Sequence, residues 1–160
     1  MKSIRRELHY THPPERVWRV LTDPAIVATW LMEPEGFEPR AGCRFRFRTK
    51  PAPGFDGVIH CEVIEANPPR RLSYSWASSK NLEHPTLVSW TLEAASDGTR
   101  LLFEHSGFRG LSGLVLRSML RNGWGKKLTR YMPEVLNRLA VDSSDAELLR
   151  SSVMDCDRPS

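Results

Sequence analysis

Hydrophobic and polar residues alternate through the middle of the chain, and this pattern predicts an antiparallel β-sheet. In residues 43–48 the alternation is strict, so that Cys43, Phe45 and Phe47 fall on one face and three arginines on the other. The same period of two recurs in the ranges 4–10, 57–66, 72–76, 88–92 and 101–105. The dipeptide Asp97-Gly98, between the last two ranges, predicts a hairpin turn.

Hydrophobic residues at helical spacing predict two short helices near the N-terminus and one long helix near the C-terminus. Pro13-Pro14 and Asp23-Pro24 give each short helix a start signal, because proline fits the first helical turn. One apolar stripe predicts the long helix, and its members are Leu116, Leu120, Trp124, Leu128, Tyr131, Val135 and Leu139. Pro133 lies inside this stripe and predicts a kink or break, since losing its hydrogen bond costs about 3 kcal/mol.

The length and composition indicate one globular domain. The chain has 160 residues, of which 40% are hydrophobic and 26% charged, and this is ordinary for a single core that needs no metal or disulfide. We expect the domain to span residues 1–140. The polar segment 141–160 is expected to form a flexible tail, with at most a short helix near residues 145–150.

Charge, cysteine content and hydropathy narrow the classes of partner. The net charge of +4 is spread along the chain, so we expect no nucleic-acid partner. No window approaches the roughly 20 apolar residues of a membrane span, so we expect no membrane insertion. The three cysteines, Cys43, Cys61 and Cys156, lack metal-ligand spacing, so we expect no metal site and a reducing, cytoplasmic location.

Short motifs in a fixed order give the chain a resemblance to a known family. The motifs are Pro14-Glu15-Arg16-Val17-Trp18, Leu21-Thr22-Asp23-Pro24, Thr29-Trp30-Leu31, Gly42-Cys43-Arg44-Phe45, Asn67-Pro68-Pro69-Arg70-Arg71-Leu72 with Trp76, Gly98-Thr99-Arg100-Leu101, His105-Ser106-Gly107-Phe108 and Gly123-Trp124. Over about residues 4–140 the chain resembles homologues of the activator of heat-shock protein 90 ATPase, a family of the START-like (SRPBCC) helix-grip superfamily.

The resemblance implies a fold more than an activity. The implied fold is the α+β helix grip, a curved antiparallel β-sheet with two short helices and one long C-terminal helix over its concave face. This superfamily includes lipid carriers, hormone receptors and cyclases, so the fold does not decide the function. The chaperone activators themselves have an additional N-terminal domain. Because this chain begins at the first predicted strand, chaperone activation is not expected.

A helix grip implies a pocket between the concave sheet face and the long helix. The residues predicted to line it are Phe45, Phe47, Tyr74, Trp76, Val88, Trp90, Phe103, His105, Leu120, Trp124, Leu128 and Tyr131. Residues 51–55 and 78–81 are expected to border its mouth. This largely aromatic set favours non-catalytic binding of a small hydrophobic or amphipathic molecule, of the lipid, sterol, flavonoid or polyketide class, without a cofactor. Periodicity alone does not separate such a pocket from a filled core.

Two alternative functions remain open on the sequence. An enzyme of the cyclase, dehydratase or hydrolase type would use the same pocket, with His105 as its acid or base. No catalytic motif is present, so no residue is assigned a catalytic role. A protein-interaction module, resembling a co-chaperone, would use the tail or the arginine stripe formed by Arg44, Arg46 and Arg48, which is also explained as a solvated outer face. Gly123 and Gly125 are predicted to let the long helix approach the sheet closely.

Overall fold

The sheet of the computed structural model, which describes residues 3–142, has seven antiparallel strands. In space their order is β1-β7-β6-β5-β4-β3-β2. The strands are β1 (Ile4–Tyr10), β2 (Glu33–Glu35), β3 (Arg44–Arg48), β4 (Val58–Asn67), β5 (Arg71–Ser78), β6 (Thr86–Ala95) and β7 (Gly98–Ser106). Apart from β2, each strand corresponds to a stretch of alternating residues that predicts it.

Two short helices join β1 to the far edge of the sheet, and a long helix follows β7. The short ones are α1 (Pro14–Thr22) and α2 (Pro24–Trp30), and Asp23 separates them by accepting a hydrogen bond from the Ala25 backbone N–H. The third, α3 (Gly110–Lys126), continues through a π-helical turn at Lys127–Tyr131 into helical residues 132–142. We refer to residues 110–142 together as the C-terminal helix. The predicted α+β helix grip is confirmed.

The core is formed by the sheet face that the alternation predicts to point inward. Phe45, Phe47, Tyr74, Trp90 and Phe103 are all at least 96% buried. Their rings pack edge-on or tilted, for example Trp90 against Phe103 with centroids 4.7 Å apart. From residue 143 onward the predicted tail lies outside the described residues, so its expected flexibility stays a prediction.

The strand that the alternation does not predict neutralises much of the arginine stripe. β2 has the sequence Glu33-Pro34-Glu35, which offers no apolar alternation, and it pairs with β3 at the sheet edge. Glu35 there forms ion pairs with Arg46 and Arg48, and Glu62 pairs with Arg44. Such exposed pairs add little stability, but these two carboxylates offset two of the three positive charges of the stripe and so weaken its attraction for an acidic partner.

The C-terminal helix passes through Pro133 without the predicted break. In the π-helical turn the Met132 N–H donates to the carbonyl of Lys127 rather than to that of Leu128. The carbonyl oxygen of Leu128, left without this donor, accepts a hydrogen bond of 2.5 Å from the buried hydroxyl of Tyr10. A wider turn and a tyrosine from β1 thus replace the regular helix bonding just before the proline.

The π-helical turn also changes which residues of the helix face the core. A π-helical turn contains one more residue than the corresponding α-helical turn, so the buried positions after it move forward by one. Met132 and Leu136 are accordingly fully buried, whereas Tyr131 and Leu139 of the predicted stripe are only partly buried. The predicted stripe was therefore wrong at Tyr131 and Leu139, whereas Val135 is buried as predicted.

Replacing Tyr10 with phenylalanine should lower the free energy of unfolding by about 1–3 kcal/mol, because the buried Leu128 carbonyl loses its only side-chain donor within residues 3–142. Urea unfolding followed by tryptophan fluorescence measures the change. Tyr131→Phe is the matched control, since the hydroxyl of this partly buried tyrosine makes no side-chain hydrogen bond among the described residues. Equal losses in both variants would contradict the role given to Tyr10.

Candidate functional site

A cavity of about 590 Å3 opens between the C-terminal helix, strands β4 and β5 and the loop formed by residues 49–57. Its wall is largely apolar and includes Met32, Phe55, Ile59, Trp76, Leu120 and Trp124. A smaller polar group completes the wall with Thr49, Ser78, Lys80, Asn81 and Lys127. This is the size and composition of sites that hold small molecules, typically about 300–1,000 Å3 with few polar groups.

The loop formed by residues 49–57 is a folded wall of the cavity. Its ends are joined by a hydrogen bond of 2.8 Å from the Thr49 N–H to the Gly57 carbonyl, and Ala52 and Phe55 exchange two backbone bonds of 2.9 Å. Gly57 has a φ of +81°, and a Cβ there would collide with the Thr49 carbonyl, so only glycine fits. Asp56 accepts a 2.5 Å hydrogen bond from Ser79, which ties the loop to the segment after β5.

Gly123 makes room in the helix wall of the cavity. A Cβ built on Gly123 would meet no atom within 4 Å, and the residue lines the cavity. At Gly125 a Cβ would lie 3.6 Å from the Arg6 guanidinium, an ordinary contact. The prediction that this pair of glycines allows close packing was therefore wrong. The glycine of close approach is Gly113, where a Cβ would lie 3.0 Å from the Phe108 backbone.

Three of the twelve predicted pocket residues line this cavity. They are Trp76, Leu120 and Trp124. The other nine lie behind this wall or beside it, and they are Phe45, Phe47, Tyr74, Val88, Trp90, Phe103, His105, Leu128 and Tyr131. All of these except Tyr131 are at least 96% buried and pack against one another as a filled core. That they touch a ligand stays a prediction, and it would require the core to open.

His105 is the polar centre of this filled core. The Trp124 indole N–H donates to its Nδ1 over 3.1 Å, and its Nε2 lies 2.7 Å from the Thr86 hydroxyl. That hydroxyl is itself 3.0 Å from the Trp76 carbonyl, which can only accept. One arrangement of hydrogens satisfies all three contacts: Nε2 carries the proton and donates to Thr86, and Thr86 donates to Trp76.

Burial lowers the pKa of His105 to about 3, so the imidazole is neutral at physiological pH. Its side chain is fully buried, and both nitrogens already have protein partners. In this arrangement neither nitrogen faces the cavity, so His105 can organise the two tryptophans but has no lone pair or proton directed at a ligand.

Several cavity residues were missed because their sequence pattern is irregular. Leu31 and Met32 follow α2 in no regular element. Lys127 follows Trp124 by three residues, which places both on one helix face, and that spacing was the available signal. Residues 52–55, together with Ser78, Lys80 and Asn81, line the cavity at the two loops that the sequence predicts for its mouth.

A second cavity, of about 640 Å3, lies on the other side of Leu116. It is more polar, being lined by residues 78–84 and by the segment 107–109. The two cavities share Leu116, Ser78, Lys80 and Asn81, so this part of the C-terminal helix has open space on both sides. Among residues 3–142, no helix has both the length and the apolar character needed to cross a membrane.

A curved antiparallel sheet packed against a long C-terminal helix, with a cavity between them, defines a START-like helix-grip protein. The family model for activator of Hsp90 ATPase homolog 1-like proteins matches residues 11–137. The chain therefore belongs to this family. No curated protein matches the chain.

Solved structures share this fold at low to moderate sequence identity. Protein MLL2253 from Mesorhizobium loti is 32% identical over 86% of this chain and 98% of its own, with a TM-score of 0.73. The Aha1 dimer from Colwellia psychrerythraea is 19% identical over 84% of this chain and 96% of its own, with a TM-score of 0.71. DynU16, a protein of the dynemicin biosynthetic locus, is 24% identical over 86% of this chain but 48% of its own, with a TM-score of 0.70. The last two likenesses show the fold alone.

Proposed function

We propose that this protein binds a small apolar or amphipathic molecule, without transforming it, in the cavity of about 590 Å3. The observation that supports the proposal most directly is the helix wall, where Gly123 leaves open space beside Trp124 and Leu120. A glycine inside a helix costs about 1 kcal/mol relative to alanine, and here it brings no close packing in return. A void maintained at that cost is consistent with a site that a ligand fills.

The alternative functions have less support from the described residues. An enzyme centred on His105 would need at least one ring nitrogen directed at a substrate, and both are bonded within the core. An interaction surface on the arginine stripe would need unpaired charge, and Glu35 and Glu62 pair with all three arginines. Ligand classes to be tested first are fatty acids, sterols, flavonoids and polyketides, because each combines an apolar body with few polar groups.

Filling the cavity from the helix side should abolish ligand binding while the protein stays folded. In Gly123→Leu the new side chain enters the open space beside Trp124, and replacing a helical glycine should offset any minor strain. A ligand at 100 times its Kd should raise the wild-type stability by about 2.7 kcal/mol, or about 5–11 °C in Tm. We expect less than a fifth of that shift in Gly123→Leu. Thermal denaturation with and without each ligand of the panel is the measurement.

Gly125→Leu is the matched control, because Gly125 lies on the same helix but does not line the cavity. Its nearest neighbour is the flexible end of Arg6, which can move aside. The control should keep the wild-type shift. A ligand that stabilises wild type and Gly123→Leu equally binds elsewhere and would contradict the proposed site, and a panel in which nothing stabilises the wild type would contradict the proposed function.

A further inference from the structure

The charged residues in the wall of the 590 Å3 cavity are all positive. The wall contains two lysines, Lys80 and Lys127, and no aspartate or glutamate. Lys80 is exposed at the rim, in the segment after β5, whereas Lys127 is only partly exposed and lies on the C-terminal helix. Among the described residues neither lysine forms an ion pair, whereas nine of the sixteen arginines in residues 3–142 do, including Arg5, Arg71 and Arg100.

Lys127 is positioned by the least regular part of the helix. It is the first residue of the π-helical turn, and its carbonyl accepts from the Met132 N–H. The next carbonyl is held by the Tyr10 hydroxyl. Turns of this type occur frequently at functional sites. The Lys127 N–H still bonds to the Gly123 carbonyl, so its side chain keeps the α-helical direction, on the same face as Trp124. Burial lowers the pKa of Lys127, as expected for an ammonium group without a neighbouring carboxylate.

We propose that the natural ligand is an amphipathic carboxylate, whose apolar body fills the cavity and whose carboxylate pairs with the Lys127 ammonium, with Lys80 contributing at the rim. This inference rests on the proposed function and adds the charge of the ligand. A partly buried ammonium lacks water on one side, and an anion from the ligand replaces both the lost water and the missing carboxylate. The cavity wall includes no arginine and no N-terminal turn of a helix, so it fits a carboxylate better than a phosphate.

The test compares two probes that differ only in the head group, decanoate and 1-decanol, below micelle-forming concentrations. A change in tryptophan fluorescence reports binding, since Trp76 and Trp124 line the cavity and their surroundings change when it is filled. A hydrogen-bonded charge pair should make decanoate bind the wild type at least about tenfold more tightly than 1-decanol. In Lys127→Met this preference should fall to about twofold or less.

Lys126→Met is the matched control, because Lys126 is exposed on the same helix and does not line the cavity. It should keep the preference for decanoate, and Lys127→Arg should keep most of it. Equal affinity of the wild type for both probes would overturn the carboxylate proposal and leave the binding function standing. If neither probe binds, the carboxylate proposal is overturned, and the wider ligand panel decides the proposed function separately. Thermal denaturation confirms that each variant is folded.

Discussion

Between about pH 6.5 and pH 4 the wild-type protein should lose stability by about 1.4 kcal/mol for each pH unit through His105 alone. The pKa of this histidine is near 6.5 before folding and about 3 in the folded protein. Within that window His105 is protonated in the unfolded chain but stays neutral in the folded protein, so acid favours unfolding. Above about pH 6.5 both states are neutral at this site, and its contribution no longer changes with pH.

The hydrogen bonds of His105 explain why it stays neutral in the folded protein. A second proton on His105 would have to sit on Nδ1, which already accepts the indole N–H of Trp124. Two N–H groups would then face each other inside a filled core, so the protonated ring would lose that hydrogen bond as well as its solvation. Nε2 cannot accept the second proton, because it already carries one, which it donates to Thr86.

His105→Gln separates this effect from all other titrations, because every other histidine and carboxylate is retained. At neutral pH the variant should be less stable by about 1–3 kcal/mol. Both polar atoms of a glutamine amide are bonded to Cδ, so they do not reproduce the positions of Nδ1 and Nε2 toward Trp124 and Thr86. Urea unfolding at several pH values between about 4 and 7 should show the two stability curves converging as the pH falls. Parallel curves would show that His105 takes up protons in the folded state and would contradict the assigned hydrogen bonds.

The strands and their inward faces were predictable because hydrophobic and polar residues alternate along a half-buried strand. Phe45, Phe47, Trp90 and Phe103 alternate with polar residues, and each is buried as that alternation requires. β2 has no such pattern, since the sequence Glu-Pro-Glu is too short and too polar to show hydrophobic alternation. Its presence follows from pairing with β3, an interaction between distant residues that a local pattern does not contain.

The cavity was much less predictable, because it depends on residues that break the regular patterns. Gly123 is recognisable as unusual, but only the path of the helix shows that it faces open space rather than the sheet. Lys127 lies on the same helix face as Trp124, but a lysine does not belong to the apolar stripe that predicts the pocket wall. Aromatic residues predicted for the pocket wall instead fill the core, and the difference between these outcomes is set by side-chain packing that periodicity cannot resolve.

Replacing Trp124 with alanine should lower the free energy of unfolding by about 3–5 kcal/mol, among the largest effects of any single substitution in this chain. The side chain is 2% exposed and joins the core to the cavity wall. Its ring packs against Phe103, Trp76 and Trp90 with centroids 4.5–5.8 Å apart. Urea unfolding at neutral pH measures the loss. Trp18→Ala, at a partly buried tryptophan of α1, is the comparison and should cost less.

The hydrogen bond to His105 can be separated from this packing by a milder change. Trp124→Phe keeps an aromatic ring but removes the indole N–H, so it should cost about 1–3 kcal/mol and leave Nδ1 of His105 without a donor. With that donor gone, His105 can take up its second proton more easily, and Trp124→Phe should therefore be less sensitive to acid than the wild type. The double variant, Trp124→Phe with His105→Gln, should lose less stability than the sum of the two single losses. The difference should be about 0.5 kcal/mol or more, because both single variants remove the same hydrogen bond. Strict additivity together with unchanged acid sensitivity would mean that Trp124 stabilises the core by packing alone.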